Sequence, residues 1–237
     1  MGTLHAIKTL NADHADDPVA RRLLLQEATI GLSLHHPHLV AAQILLRLED
    51  GRPALVMEWC TSSLADRLSN GPLQLNDILL LTRSLLEGLS AVHAHSIVHC
   101  DLSPDNILFA DDGVESLRIA DFGIALQSGH RHAELDIRFA GQAHFSAPEQ
   151  KDGGPVDART DLYAVGKILS PARRLRWRCS HSPSPSRLPA FATRSRRQAR
   201  KCKGRLADAR RPLKKLAVCP AQFEPGSGAA ADGALFW

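Results

Sequence analysis

Between Leu73 and Ser96 the apolar positions Ile78, Leu81, Leu85, Leu89 and Val92 recur at three- and four-residue steps, the period of a helix with one buried stripe. The pattern predicts a helix over Leu73–Ser96, and another from Val19 to about Leu34 that the breaker Pro37 closes. Leu4–Leu10 reads as a short strand before the turn-rich stretch Asn11–Pro18. Two further strands are predicted at Leu39–Arg47 and Pro53–Trp59, joined by the turn Glu49-Asp50-Gly51. After Thr61 the pattern turns helical. A sheet-rich first part therefore meets a helix-rich second part near residue 60, which is an α+β plan. From about Pro171 the composition shifts to Arg, Ser and Pro. Ser180–Ser195 reads as loop, and Ala221–Gly233 as a disordered Pro/Gly/Ala-rich tail.

Charge sharpens that boundary. Met1–Ser170 carries 13 Lys/Arg against 22 Asp/Glu, a net of −9, whereas Pro171–Lys215 carries 16 Lys/Arg against Asp208 alone, a net of +15. A basic block of this kind could bind nucleic acid; here it reads as a solvated stretch instead, and no nucleic-acid partner is expected. Five cysteines, with no CxxC spacing, suggest neither a zinc site nor a disulfide framework and point to a reducing cytoplasm. No apolar run approaches the roughly 18 residues of a membrane helix, so no membrane partner is expected.

Phosphoryl transfer asks a protein for charge neutralisation, metal ligands and a carboxylate that orients the incoming hydroxyl. The sequence offers such groups in order. Lys8 closes His5-Ala6-Ile7-Lys8, and Glu27 follows 19 positions later inside the predicted helix. His36-Pro37-His38-Leu39-Val40 and the strand Ala54–Cys60 come next. Residues 98–108 read V-H-C-D-L-S-P-D-N-I-L, holding His99, Asp101 and Asn106, and Asp121-Phe122-Gly123 begins 15 residues beyond Asn106. Ala147-Pro148-Glu149 and the segment Asp157–Gly166 complete the series. Taken singly, Glu27 could be a plain surface residue and Ala54–Cys60 a buried strand without a ligand; the ordered set does not arise by chance.

This set closely resembles the eukaryotic-type (Hanks-type) Ser/Thr protein kinase family in a bacterial-like form, over roughly Leu4–Gly166. The resemblance implies a two-lobed kinase fold and transfer of the ATP γ-phosphate to protein hydroxyls, with ATP and Mg2+ as cofactors. By it, Lys8, paired with Glu27, holds the α- and β-phosphates. Met57 is the gatekeeper, and the Glu58 carbonyl and Cys60 amide meet the adenine. Asp101 receives the acceptor proton, with Ser103 beside it in the catalytic set, and Asn106 and Asp121 ligate magnesium. His99, Phe122, Gly123 and Glu149 support them. Asp161 caps the backbone of His99–Asp101, and Arg211 is the buried partner of Glu149. The implied layout is a truncated N-lobe over 1–60, a C-lobe over 61–213 whose last part, 171–213, matches only faintly, and a disordered tail over 214–237.

Four departures bear on activity. Lys8 stands seven residues from the first residue, too few for two strands and a G-x-G-x-x-G loop, so impaired turnover and an open sheet edge beside Leu4–Leu10 are expected. Ser103 replaces a lysine, and Gln142 replaces the threonine that normally contacts it, which suggests one substituted arrangement. Cys100 replaces the arginine that reads loop phosphate, and Ile124–Ser146 offers only Ser128 and Ser146 as hydroxyls, so no phosphorylation on-switch is expected. Gly31 and Ala42 stand where larger apolar side chains are usual, leaving a gap that Met57 would partly fill. Two other classes remain: a pseudokinase or decayed fragment acting as a binding module, and a small-molecule phosphotransferase of the aminoglycoside-kinase kind. The downstream Ala147-Pro148-Glu149 with Asp161 argues against the latter.

Overall fold

The structure is a computed structural model that describes residues 4–135, 141–172 and 213–216. In chain order it forms β1 (His5–Leu10), α1 (Pro18–Ser33), β2 (Ala42–Arg47), β3 (Pro53–Glu58), β4 (Ser62–Ser63), α2 (Leu64–Ser69) and α3 (Leu75–His93). There follow β5 (Ile97–Val98), β6 (Ile107–Phe109), β7 (Leu117–Ile119), β8 (Leu126–Gln127), α4 (Pro148–Lys151), α5 (Ala158–Ala172) and β9 (Leu213–Leu216). Mixed strands and helices fall as the hydrophobic pattern predicts, with the main sheet first and most of the helix later.

Helix α1 starts at Pro18, whose missing N–H suits the first helical position. The Asp17 carboxylate accepts from the amides of Val19 and Ala20 at 2.9 and 3.2 Å. Leu24 and Ala28 on its inner face are buried against Leu10 and Leu55 of the sheet. Helix α3 buries all five periodic positions; four of them, Leu81, Leu85, Leu89 and Val92, join Ile107, Phe109, Leu117, Ile119 and Phe122 in the largest core. It is shorter than the predicted Leu73–Ser96. Ser96 takes φ 57° and turns the chain into β5, which pairs with β8.

The first sheet has the order β2-β3-β1-β9, antiparallel throughout these pairings. The predicted strand from Leu39 begins only at Ala42, because Leu39 instead bridges Ile119 and the Val40 amide donates to the Ile119 carbonyl at 2.9 Å. Two expectations are corrected here. The edge of β1 is not open: β9 lies along it, with Lys8 opposite Lys215, so Lys214, Lys215 and Leu216 belong to a strand and not to a disordered tail. The gap behind Met57 is not there either. A Cβ added to Gly31 would lie 3.0 Å from the Cβ of Ala42, so small residues bring α1 and β2 into direct contact.

Candidate active site

Strand β1 carries Lys8 inward at a position opposite Leu55. Its ammonium lies 2.5 Å from Glu27 Oε2 on α1 and 3.1 Å from Asp121 Oδ1. Burial by itself would lower the lysine pKa; the charges of Asp121 and Glu27 outweigh it and hold the ammonium above its ordinary value. Asp121 adopts φ 73°, a left-handed conformation that aspartate tolerates better than most non-glycine residues, and its Oδ1 also accepts from the Gly123 amide at 3.4 Å. Gln26, next to Glu27, donates to the Ala125 carbonyl at 2.7 Å, and Arg22 donates to the Leu135 carbonyl. Helix α1 is thereby fastened to the segment that follows Asp121.

The segment 98–106 is held from several sides. Asp161, on α5 and almost fully buried, accepts from the amides of His99 and Cys100, both at 2.9 Å, and its Oδ2 lies 2.8 Å from His93 Nε2. Cys100 takes φ 66°, a turn those two bonds stabilise. Its thiol is held in the protonated form, by burial first and then by the charge of Asp161. His99 Nδ1 accepts from the Asp101 amide at 3.2 Å while Nε2 faces the Ala120 carbonyl at 3.0 Å, which assigns the ring proton to Nε2. The same ring packs on Phe122 with centroids 4.8 Å apart. Asn106 Nδ2 donates to the Asp101 carbonyl at 2.7 Å and to Asp101 Oδ2 at 2.9 Å, so the asparagine side chain is tied to both the backbone and the carboxylate of Asp101.

A cleft of about 560 Å³ runs between the main sheet and this segment. Lys8, Glu27, Met57, Glu58, Cys60, Asn106 and Asp121 all line it, beside the apolar Ala6, Val40 and Leu108. Seven sequence-singled residues thus share one concave surface. The Glu58 side chain itself points elsewhere, pairing with Arg118 Nε at 2.8 Å and accepting from the Ala41 amide at 3.1 Å. Glu149 Oε1 accepts from Thr160 Oγ1 at 2.7 Å; the expected partner Arg211 lies outside the described residues. Ser103 is fully buried, with its Oγ accepting from Gln142 Nε2 at 3.0 Å. Ser146 is buried too and donates to the Gln142 carbonyl at 2.9 Å.

Sequence reasoning passed over His93, Gln26 and Gln150. Gln150 donates to the Cys100 carbonyl at 2.8 Å and accepts from the Ala147 amide at 3.2 Å, which ties α4 to the segment bearing Asp101. Its place directly after Ala147-Pro148-Glu149 was the available signal. Among the described residues no group of three or more His, Cys, Asp and Glu side chains could hold a metal unaided, and no helix is long and apolar enough to cross a membrane.

This arrangement of a buried lysine between two carboxylates, and an aspartate tied to an asparagine, agrees with what comparison with known proteins finds. Residues 1–181 match the protein kinase domain, and the chain belongs to that family. It is 37% identical over 176 residues to the DNA damage-responsive serine/threonine-protein kinase RqkA of Deinococcus radiodurans, an alignment covering 71% of this chain and 25% of that protein. It is 32% identical over 166 residues to the serine/threonine-protein kinase PrkC of Bacillus subtilis, covering 69% and 25%. A third relative, the serine/threonine-protein kinase PkaA of Streptomyces coelicolor, is 33% identical over 171 residues, covering 71% and 31%. The aligned region spans about a quarter to a third of the length of these relatives. Proteins of the protein kinase family use ATP, together with a divalent metal ion.

Proposed function

We propose that the chain is a protein serine/threonine kinase that moves the γ-phosphate of ATP onto a protein hydroxyl. The observation that carries this reading is the one cleft in which Lys8 meets both Glu27 and Asp121 while Asn106 is tied to Asp101. The sheet-rich and helix-rich parts serve as the two lobes on either side of it. Adenine lies between Ala6, Val40 and Leu108, against the backbone of Glu58–Cys60, and Lys8 faces the phosphates.

The metal would be Mg2+, and Asn106 and Asp121 would hold it. The donor set fits: Asn106 commits its Nδ2 to Asp101, which leaves Oδ1 for a cation, and Asp121 supplies a carboxylate. Two protein oxygens would suit a small hard cation that keeps much of its hydration. Bound there, such an ion would supply neutralisation of the charge on the transferring phosphoryl group. Asp101 orients the serine or threonine hydroxyl and accepts its proton as the oxygen bonds to the γ-phosphorus. The bond from that phosphorus to the β-phosphate oxygen breaks, and ADP leaves. Glu27 keeps Lys8 charged and in place; Asp161, Gln150 and His99 keep the Asp101 backbone in its turn.

Incubation of the purified chain with labelled ATP, Mg2+ and a protein acceptor tests this. Phosphoserine or phosphothreonine should form, and fail to form with Asp121→Ala. Nucleotide binding without any transfer would instead mark a binding module.

A further inference from the structure

The cleft is short of positive charge for a nucleotide. Among the described residues that line it, Lys8 is the one lysine or arginine, against the carboxylates of Glu27, Glu58, Asp66, Asp105 and Asp121. Two of these already share its ammonium, at 2.5 and 3.1 Å. A triphosphate brings several more negative charges, of which a single divalent ion would offset two. A further cation at the phosphate end is what this balance of charge calls for.

The edge of β1 offers a place for one. β9 runs antiparallel along it, with Ile7 opposite Leu216, Lys8 opposite Lys215, Thr9 opposite Lys214 and Leu10 opposite Leu213. Each pair matches in kind, apolar with apolar and polar with polar. A slip of one residue in either direction would set a lysine opposite Ile7 or Leu10, so the pattern specifies this register. Residues directly opposite each other in an antiparallel pair share one face of the sheet. Lys8 stands on the face that meets α1 and the cleft, which assigns Lys215 to that face and Lys214 to the other. Like charges directly opposite weaken a strand pair. An anion bound beside both reverses the sign of that effect.

We propose that Leu213–Leu216 is an internal strand donor that closes the β1 edge in cis, and that its register brings Lys215 to the level of Lys8 as a second cation for the ligand's phosphates. The ligand rests on the kinase reading; the strand pairing stands apart from it. Strand and phosphate then support each other. Loss of β9 removes a charge and also the neighbour of the strand that carries Lys8, and a bound anion holds β9 in place.

Cross-linking on the full chain tests the strand without nucleotide. Cα atoms of opposed residues in an antiparallel pair lie about 4.5–5.5 Å apart, within the span of a disulfide. Under mild oxidation Thr9→Cys/Lys214→Cys should form a disulfide inside one molecule, located by peptide mapping because the chain has five other cysteines. Thr9→Cys/Lys215→Cys, one position out of register, should not. A bond that forms only between two molecules would make a second copy's β9 the occupant; that result, or no preference between the two pairs, overturns the proposal. Calorimetric titration with Mg-ATP tests the cation. Lys215→Met should raise Kd about 10-fold, whereas Lys214→Met, on the opposite face, should leave it within about twofold. In a chain that binds Mg-ATP, equal affinity of wild type and Lys215→Met, or equal losses in the two variants, overturns the role of Lys215. A wild type that does not bind Mg-ATP refutes the kinase reading and the ligand of Lys215 with it, and the cross-link still decides the strand.

Discussion

Lys8 and Glu27, 19 residues apart in sequence, meet at 2.5 Å between β1 and α1, and this ion pair turns the ammonium toward Asp121. Replacing Lys8 by methionine removes the cation that the cleft offers to phosphate. It also leaves two carboxylates without it in a largely buried place, at a cost on the order of 3 kcal/mol in stability. The thermal midpoint should fall, and the further rise on adding Mg-ATP should vanish. An ATP-induced shift as large as that of the wild type would remove Lys8 from the nucleotide site.

The close approach of Gly31 to Ala42 gives a second test. In an open helix Gly31→Ala would stabilise by about 0.5–1 kcal/mol. Here the new methyl meets a Cβ at 3.0 Å that is rigidly attached to β2, and overpacking of this kind costs about 1–3 kcal/mol. Gly31→Ala should therefore lower the urea midpoint, and Ala42→Gly in the same chain should restore part of it. A more stable Gly31→Ala variant would mean that α1 and β2 stand further apart.

Much of the cleft was legible in the chain because its residues lie in short, ordered motifs. The step from Asp101 to Asn106 and the tripeptide at Asp121 carry their spacing with them, and the five periodic positions of α3 announce its buried face. What was not legible depends on pairs far apart in sequence. His93 reaches Asp161 across 68 residues, Gln26 reaches Ala125 across 99, and Glu58 is taken by Arg118 across 60. No local period marks such contacts. β9 is the extreme case, a strand of four residues in a segment whose basic composition reads as solvated, paired with β1 some 200 residues earlier. The misjudged gap at Gly31 has a related cause: small residues look like missing volume until the backbones are seen to approach.

His132 is nearly buried, and its Nε2 faces the Ile124 carbonyl at 3.2 Å. Burial depresses its pKa below the ordinary histidine value, outweighing that carbonyl and the charge of Asp101, which act the other way. The folded state then takes up a proton less readily than the unfolded chain. Stability from this group is complete above about pH 6.5 and is lost as pH falls below it, until the folded pKa is passed. With 12 histidines in the chain the informative quantity is a difference. Between pH 7.5 and 5.5 the urea midpoint of the wild type should drop more than that of His132→Gln. Equal drops would place the acid sensitivity elsewhere.

The central claim, that Asp101 receives the acceptor hydroxyl in a working phosphotransfer site, is tested most directly by the rate of labelled phosphate transfer in Asp101→Asn against wild type. Nucleotide binding is followed in the same samples by thermal shift with Mg-ATP. The account predicts that the ATP-induced shift survives, because Asp101 does not hold the nucleotide, while transfer to serine or threonine falls about 100-fold or more. Transfer by Asp101→Asn at the wild-type rate would contradict it.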